Sequence, residues 1–227
     1  MNVLITGASG MIGNLILNKC LGSEQITNVI SLVRNSTGQI HHKLTEVIVN
    51  NFDDHSANKQ YFKNIHAAFF CLGVYTGQVA DDLFKKITVD YAVAFAKTLE
   101  DNSPQARLCL LSGAGADRTE KSNTSFARYK GMAENKIAAM NLKFHSFRPG
   151  YIYPVEKRKE PNVGYKIMRA WYPMIKLLGN KYSIPSTELA SAMFNIGLNG
   201  SDQQILENQA IVKHLENHSA TTRKVEG

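Results

Sequence analysis

An α/β fold, a doubly wound parallel sheet with helices on both faces, is predicted for this chain by three observations. Short apolar runs alternate with longer amphipathic segments from residue 2 to residue 150. A glycine-bearing turn joins the first run to the first amphipathic segment. The run AAFFCLG (67–73) is continuously apolar, as a strand covered on both faces has to be.

In chain order, NVLI (2–5) is short and β-rich, and the segment behind the turn carries Ile12, Leu15, Ile16 and Cys20 at helical spacing. NVISLV (28–33) and EVIVN (46–50) are the next two strands, and AAFFCLG is the fourth. Leu83, Phe84, Ile87, Tyr91, Ala94 and Phe95 mark one stripe of a long helix over 81–101. RLCLLSG (107–113) is a strand, 126–141 a helix, and KFHSFRPG (143–150) a strand ending at a proline. After Gly150 the rhythm changes. PVEKRKEPNVG (154–164) reads as a charged loop, and YKIMRAWYPMIKLLG (165–179) as a helical segment interrupted at Pro173. IPSTELASAMFNIGL (184–198) reads as a helix capped by Ser186 or Thr187 ahead of Glu188. The tail HSATTRKVEG (218–227) is polar and expected to fray. No internal repeat or low-complexity segment interrupts this plan.

The chain has 227 residues, 44% hydrophobic and 20% charged, with a formal charge of +7 and a pI near 9.2. That size suits one domain. The basic residues are spread along the chain, and the nearest approach to a block, Lys157, Arg158 and Lys159, is flanked by Glu156 and Glu160. A solvated loop fits that pattern better than a nucleic-acid surface. An anionic cofactor accounts for part of the charge. Cys20, Cys71 and Cys109 form no CxxC pair, and two of them lie in apolar runs, which suggests buried thiols in a reducing compartment. No secretory leader pattern opens MNVLITGASG, and no apolar stretch is long enough to span a membrane, so a cytoplasmic location is expected.

Gly7-Ala8-Ser9-Gly10-Met11-Ile12-Gly13 places GxxGxxG between a strand and a helix. Gly7 permits the tight turn, Gly10 admits a pyrophosphate to the backbone, and Gly13 lets the helix pack close to the sheet. Free N–H groups and the positive dipole end at the helix start favour phosphates. Gly7, Ser9, Gly10, Met11, Ile12 and Gly13 are therefore candidate dinucleotide ligands. At the end of the second strand, SLVRNST offers Arg34 and no acid, with Ser36 and Thr37 close behind. An arginine there accommodates a 2′-phosphate, so NADP(H) is expected in preference to NAD(H). Asn51 and Phe52, after the third strand, fall where an adenine-edge contact is expected. On this reading residues 1–150 form the nucleotide-binding core of a single domain over 1–227, and 151–227 supply the opposite cleft wall and C-terminal elements.

With these residues in place, nearly the whole chain resembles the short-chain dehydrogenase/reductase superfamily. The motifs run in order as TGASGMIG, FFCLG, VDY (89–91), LLSGAGAD, YKGMAENKI, FRPGYI, LLGNKYSIP and ILENQAI. Within the superfamily they are most similar to the atypical branch, in its Tat-interacting-protein-like NADPH-binding subgroup. The resemblance implies a Rossmann-type sheet, bound NADP(H) with Leu72, Gly73 and Pro149 against it, and a Ser–Tyr–Lys constellation at the nicotinamide end. Lys130-Gly131 matches the end of the pattern Tyr-x-x-x-Lys-Gly, which implies that Lys130 binds the nicotinamide ribose and lowers the pKa of a tyrosine. Ser112 is the serine candidate, although the family often uses the next position, here Gly113.

The tyrosine departs from the pattern. Phe126 stands four residues before Lys130 and has no hydroxyl. Tyr129 is no simple substitute, because positions 126 and 130 lie about 40° apart around a helix whereas 129 and 130 differ by about 100°. Losing a positioned acid typically costs a factor of about 10² to 10⁴. Tyr75, Tyr151 and Tyr153 are other hydroxyls expected near the cleft. Two readings follow: an oxidoreductase reducing a small-molecule carbonyl with NADPH, or an NADP(H)-binding regulatory protein acting through a protein partner. Either is expected as a monomer or homodimer. Trp171, Tyr172 and Met174 are core or pocket residues on this reading.

Overall fold

The computed structural model describes residues 1–156 and 182–225. Nine strands are assigned among them: β1 (Asn2–Thr6), β2 (Asn28–Val33), β3 (Leu44–Ile48), β4 (Ala67–Phe70), β5 (Arg107–Leu111), β6 (Lys143–Arg148), β7 (Tyr151–Tyr153), β8 (Ser183–Pro185) and β9 (Ile205–Glu207). Seven form one sheet in the order β3-β2-β1-β4-β5-β6-β9, parallel at every pairing, while β7 and β8 pair separately. This is a Rossmann-type sheet. Strand order reverses at β1, which lies between β2 and β4, and the crevice at that switch point is where such sheets bind ligands.

Alternation along each strand builds two cores. Val3 and Ile5 of β1, with Phe69, Cys109 and Phe147, face α1 (Met11–Gly22) and α5 (Ser186–Asn199). Leu4, Ala68, Phe70, Leu108 and Leu110 face a 3-10 turn (Ser56–Phe62), α3 (Tyr91–Asn102) and α4 (Ser125–Ala138). Helix α6 (Asn208–Val225) packs on α5 and β9.

The long helix expected over 81–101 forms as α2 (Asp81–Lys85), a π-helical turn (Lys86–Asp90) and α3. Such turns insert one residue per bulge and shift the facing stripe, which a single 3.6-residue period does not reveal. β3 begins two residues earlier than EVIVN suggests. The expected cap at Ser186 or Thr187 is absent: Pro185 holds the N-cap position, and the Ser186 hydroxyl accepts the Val155 N–H at 3.2 Å instead. The polar tail, expected to fray, continues α6 to Val225, since no proline or glycine interrupts residues 208–225. Strand β9, formed from the ILENQAI motif, extends the sheet beyond β6. The segment 165–179, expected to be helical, with its Pro173, Trp171, Tyr172 and Met174, and the basic trio Lys157–Lys159 lie outside the described residues.

Candidate functional site

The site is built at the C-terminal ends of the neighbouring strands β1 and β4. Gly7 has φ +80, and a Cβ there would lie 2.5 Å from the Cys71 carbonyl carbon, so only glycine lets the chain turn across the end of β4. A Cβ on Gly13 would lie 2.1 Å from the Gly7 oxygen, which fixes how closely α1 begins beneath the loop. Gly10 is the N-cap, with no side-chain cap and no acidic residue in the first turn of α1. No carboxylate of the first turn opposes an anion at this helix start, and the cradle fits a pyrophosphate. Ile12 is buried in the core, which leaves its backbone to any ligand, whereas Ser9 and Gly10 are exposed.

Two adjoining cavities open from this loop. One, of about 360 Å³, is lined by Ser9, Gly10, Met11 and Asn14 with Pro154 and Ser186 from the far wall. The other, of about 370 Å³, brings together Gly10, Met11, Ile12, Leu72, Gly73, Ser112, Lys130 and Pro149 from the expected set, with Phe126, Gly113, Tyr75 and Tyr151. Tyr153 does not line either cavity, and neither do Arg34, Asn51 and Phe52. Arg34 is exposed at the end of β2. Asn51 is exposed, but the Phe52 ring is buried against His55 and Tyr91, so only its backbone is offered to an adenine.

Lys130 sits on the inner face of α4 and donates from Nζ to the Leu111 carbonyl at 3.0 Å. Burial lowers it to about 8, against the opposing influence of Glu134 and Cys71. Glu134, one turn further along the same face, is fully buried. It accepts hydrogen bonds from Ser146 Oγ at 2.7 Å, from Arg148 Nε at 3.0 Å and from Arg148 Nη2. Burial pushes its pKa up, but the bonds from Arg148 and Ser146 and the nearby Ser112 hydroxyl prevail and hold it below the ordinary carboxylate range. Arg148 also reaches Glu207 at 2.8 Å, tying α4, β6 and β9 together under the cleft. Ser112 Oγ is buried and makes no well-formed hydrogen bond.

The helix angles separate Tyr129 from Lys130 as expected. Tyr129 is 7% exposed on the far side of α4, packs on Phe84, and donates its hydroxyl to Asp81 Oδ2 at 2.5 Å. Phe126 lines the cleft beside Lys130, and its ring tip lies 2.5 Å from where a Cβ on Gly113 would be. The two departures from the family pattern are therefore one arrangement: a bare backbone at 113 makes room for the ring at 126. Gly131 has a separate cause, since its Cβ would lie 1.8 Å from the Asp117 carbonyl oxygen. Burial pushes the Cys71 and Cys20 thiols up to about 12, and Cys109 is raised for the same reason, so none is poised as a nucleophile at neutral pH.

Sequence reasoning missed Glu134, Arg148 and Asn208. Asn208 accepts from the Gly150 N–H at 2.8 Å and donates to the Ser183 carbonyl at 2.9 Å, which pins the FRPGYI turn to β8. A glutamate four residues after a cleft lysine was the signal available for the first of them.

A family model described as NAD(P)H-binding matches residues 7–196. Protein HTATIP2 of Rattus norvegicus is 25% identical over 221 residues, covering 94% of this chain and 88% of its own length. Among solved structures, the Bordetella bronchiseptica enzyme WbmH in complex with NAD+ superposes with a TM-score of 0.68 at 17% identity, covering 91% of this chain and 74% of that one. UDP-glucose 4-epimerase with UDP-glucose from Thermotoga maritima gives 0.65 at 14% identity, covering 91% and 76%. At these identities the structural likeness is one of fold. No helix among the described residues is long and apolar enough to cross a membrane.

Proposed function

The chain belongs to the NAD(P)H-binding family, and from that premise we propose that it is an NADP(H)-dependent oxidoreductase of the atypical short-chain dehydrogenase type, reducing a carbonyl or related group. The observation that carries this reading is Lys130, a half-buried ammonium held at the foot of the cleft that opens from the glycine loop.

The backbone of Gly7, Ser9, Gly10, Met11, Ile12 and Gly13 would hold the pyrophosphate, and Arg34 the 2′-phosphate. Asn51 and the backbone of Phe52 would meet the adenine, and Leu72, Gly73 and Pro149 the nicotinamide end. When bound, the reduced cofactor supplies a hydride. Lys130 binds the ribose and sets a positive charge beside the oxygen where negative charge develops. Ser112 offers that oxygen a hydroxyl. The proton comes from neither Phe126, which has none to give, nor Tyr129, whose hydroxyl is committed to Asp81. Tyr75 and Tyr151 line the cleft and are the hydroxyls to test for that role. The free thiols suit a cytoplasmic protein. We expect a monomer or homodimer.

The seating of Phe126 on Gly113 favours a second reading, in which the chain binds NADP(H) without turnover and regulates a protein partner. NADPH oxidation at high protein concentration, against aldehydes, ketones, quinones and sugar nucleotides, separates the two. Turnover by the wild type that disappears in Lys130→Ala supports the oxidoreductase. Turnover only in Phe126→Tyr, with the wild type binding NADPH but inert, supports the binding protein.

A further inference from the structure

The loop after β2 carries a feature that the reading above does not use. Glu46, on β3 opposite Ser31 of β2, receives Ser36 Oγ and Thr37 Oγ1 at 2.5 Å each, and the Thr37 N–H at 3.1 and 3.2 Å. Each hydroxyl also accepts a backbone N–H two residues on, from Gly38 at 3.1 Å and Gln39 at 3.3 Å. The single proton of each hydroxyl is therefore committed to the carboxylate. Arg34, two residues before Ser36, is exposed and makes no hydrogen bond or ion pair among the described residues.

Three donors converging on one anion, with a free guanidinium close by in sequence, is the donor set a phosphate monoester takes. Here the anion is part of the chain. Resting on the NADP(H) reading of the same loop, we propose that Glu46 is an internal competitor for the donors that a 2′-phosphate uses, and so sets how far this site discriminates NADPH from NADH. Burial acts to raise its pKa, but the bonds from Ser36 and Thr37 outweigh it and hold Glu46 ionised at neutral pH. A dianionic 2′-phosphate has to displace that carboxylate or lie beside it. The 2′-hydroxyl of NADH carries no charge and meets no such opposition.

Glu46→Gln keeps the shape and one acceptor oxygen while removing the charge. Titration of the purified full chain with NADPH and with NADH, by calorimetry or cofactor fluorescence, reads the outcome without any substrate. NADPH should bind about fivefold tighter in Glu46→Gln, the scale of one screened charge at a partly exposed site, with NADH changed by less than about twofold. Raising the salt should shrink the gap. Ser36→Ala with Thr37→Ala should weaken NADPH alone. An unchanged or weakened NADPH:NADH ratio in Glu46→Gln overturns the proposal and leaves Glu46 a scaffold of the loop. A wild type that binds NADH at least as tightly as NADPH overturns the NADP(H) preference instead. The variant's ratio would still decide the role of Glu46.

Discussion

Replacing Gly131 with alanine sets two rules against each other. In an exposed helix interior the change stabilises by about 1 kcal/mol, because glycine has the greater backbone freedom to lose. At this position the new Cβ would lie 1.8 Å from the Asp117 oxygen, 2.1 Å from its carbonyl carbon and 2.7 Å from the Arg118 nitrogen. Since real Cβ contacts essentially never fall under 3.0 Å, the loop must retreat by at least 3.0 − 1.8 = 1.2 Å. It is poorly able to do so. The Asp117 N–H donates to the Ala127 carbonyl at 2.8 Å, and its carboxylate accepts from the N–H groups of Thr119, Lys121 and Ser122. Asn135 of α4 holds the Arg118 carbonyl at 2.8 Å. Overpacking costs about 2 kcal/mol, and loss of the Asp117–Ala127 bond about 1 more. Against the gain in propensity of about 1, the net is a loss of about 2 kcal/mol. Urea denaturation should show the midpoint falling by roughly 1 M at an ordinary slope. Gly22→Ala serves as control, since nothing lies within 4 Å of its Cβ, and should be neutral or slightly stabilising. A Gly131→Ala protein as stable as the wild type would refute the argument that the loop carbonyl, rather than the cofactor, demands glycine there.

Lys130 titrates at about 8 in the folded chain and at about 10.4 when unfolded. Between those values the unfolded state holds more protons, so stability should rise with pH across that window, by up to about 3 kcal/mol before solvent screening. Urea midpoints at both ends of the window should show the rise in the wild type and not in Lys130→Met; equal slopes would count against desolvation of the half-buried ammonium. Glu134→Ala should cost about 3–5 kcal/mol by leaving Arg148 without its buried partner, and pairing it with Arg148→Met should recover much of the loss in thermal melts. Arg34→Ala should weaken NADPH about tenfold by calorimetry and spare NADH, as expected for an exposed guanidinium meeting a phosphate. An equal loss for both cofactors would place Arg34 elsewhere than at the 2′-phosphate.

Much of the fold was legible because it rests on local patterns. The continuous apolar runs in NVLI and AAFFCLG and the stripe through Phe84 and Phe95 report directly which side chains leave water, although Leu83 of that stripe stays exposed, and GxxGxxG reports a turn no other residue type allows. The separation of Tyr129 from Lys130 was likewise legible, as a consequence of helix geometry alone. What escaped depends on neighbours far along the chain. Nothing local marks Glu134 and Arg148 as partners until β6 and α4 are brought together. Nothing in EVIVN singles out Glu46 until the loop behind β2 folds back onto it. Phe126 and Gly113 look like two separate losses, and only the packed ring shows them to be one exchange of volume.

The partnership of α1 with α5 also governs when this protein can exist. Ile12 and Ile16, directly behind the glycine loop, share a core with Leu189 and Met193. At ordinary elongation rates the ribosome needs on the order of ten seconds to travel between those positions. Through that interval the first helix has strands to lean on but no covering layer, and its apolar face is open to chaperones or to misassociation. Packing of α1 against α5 is therefore completed only late in synthesis, although the residues of α1 are among the first to emerge. A dinucleotide present during synthesis would meet the far wall of its cleft, Pro154 and Ser186, only once most of the chain is made.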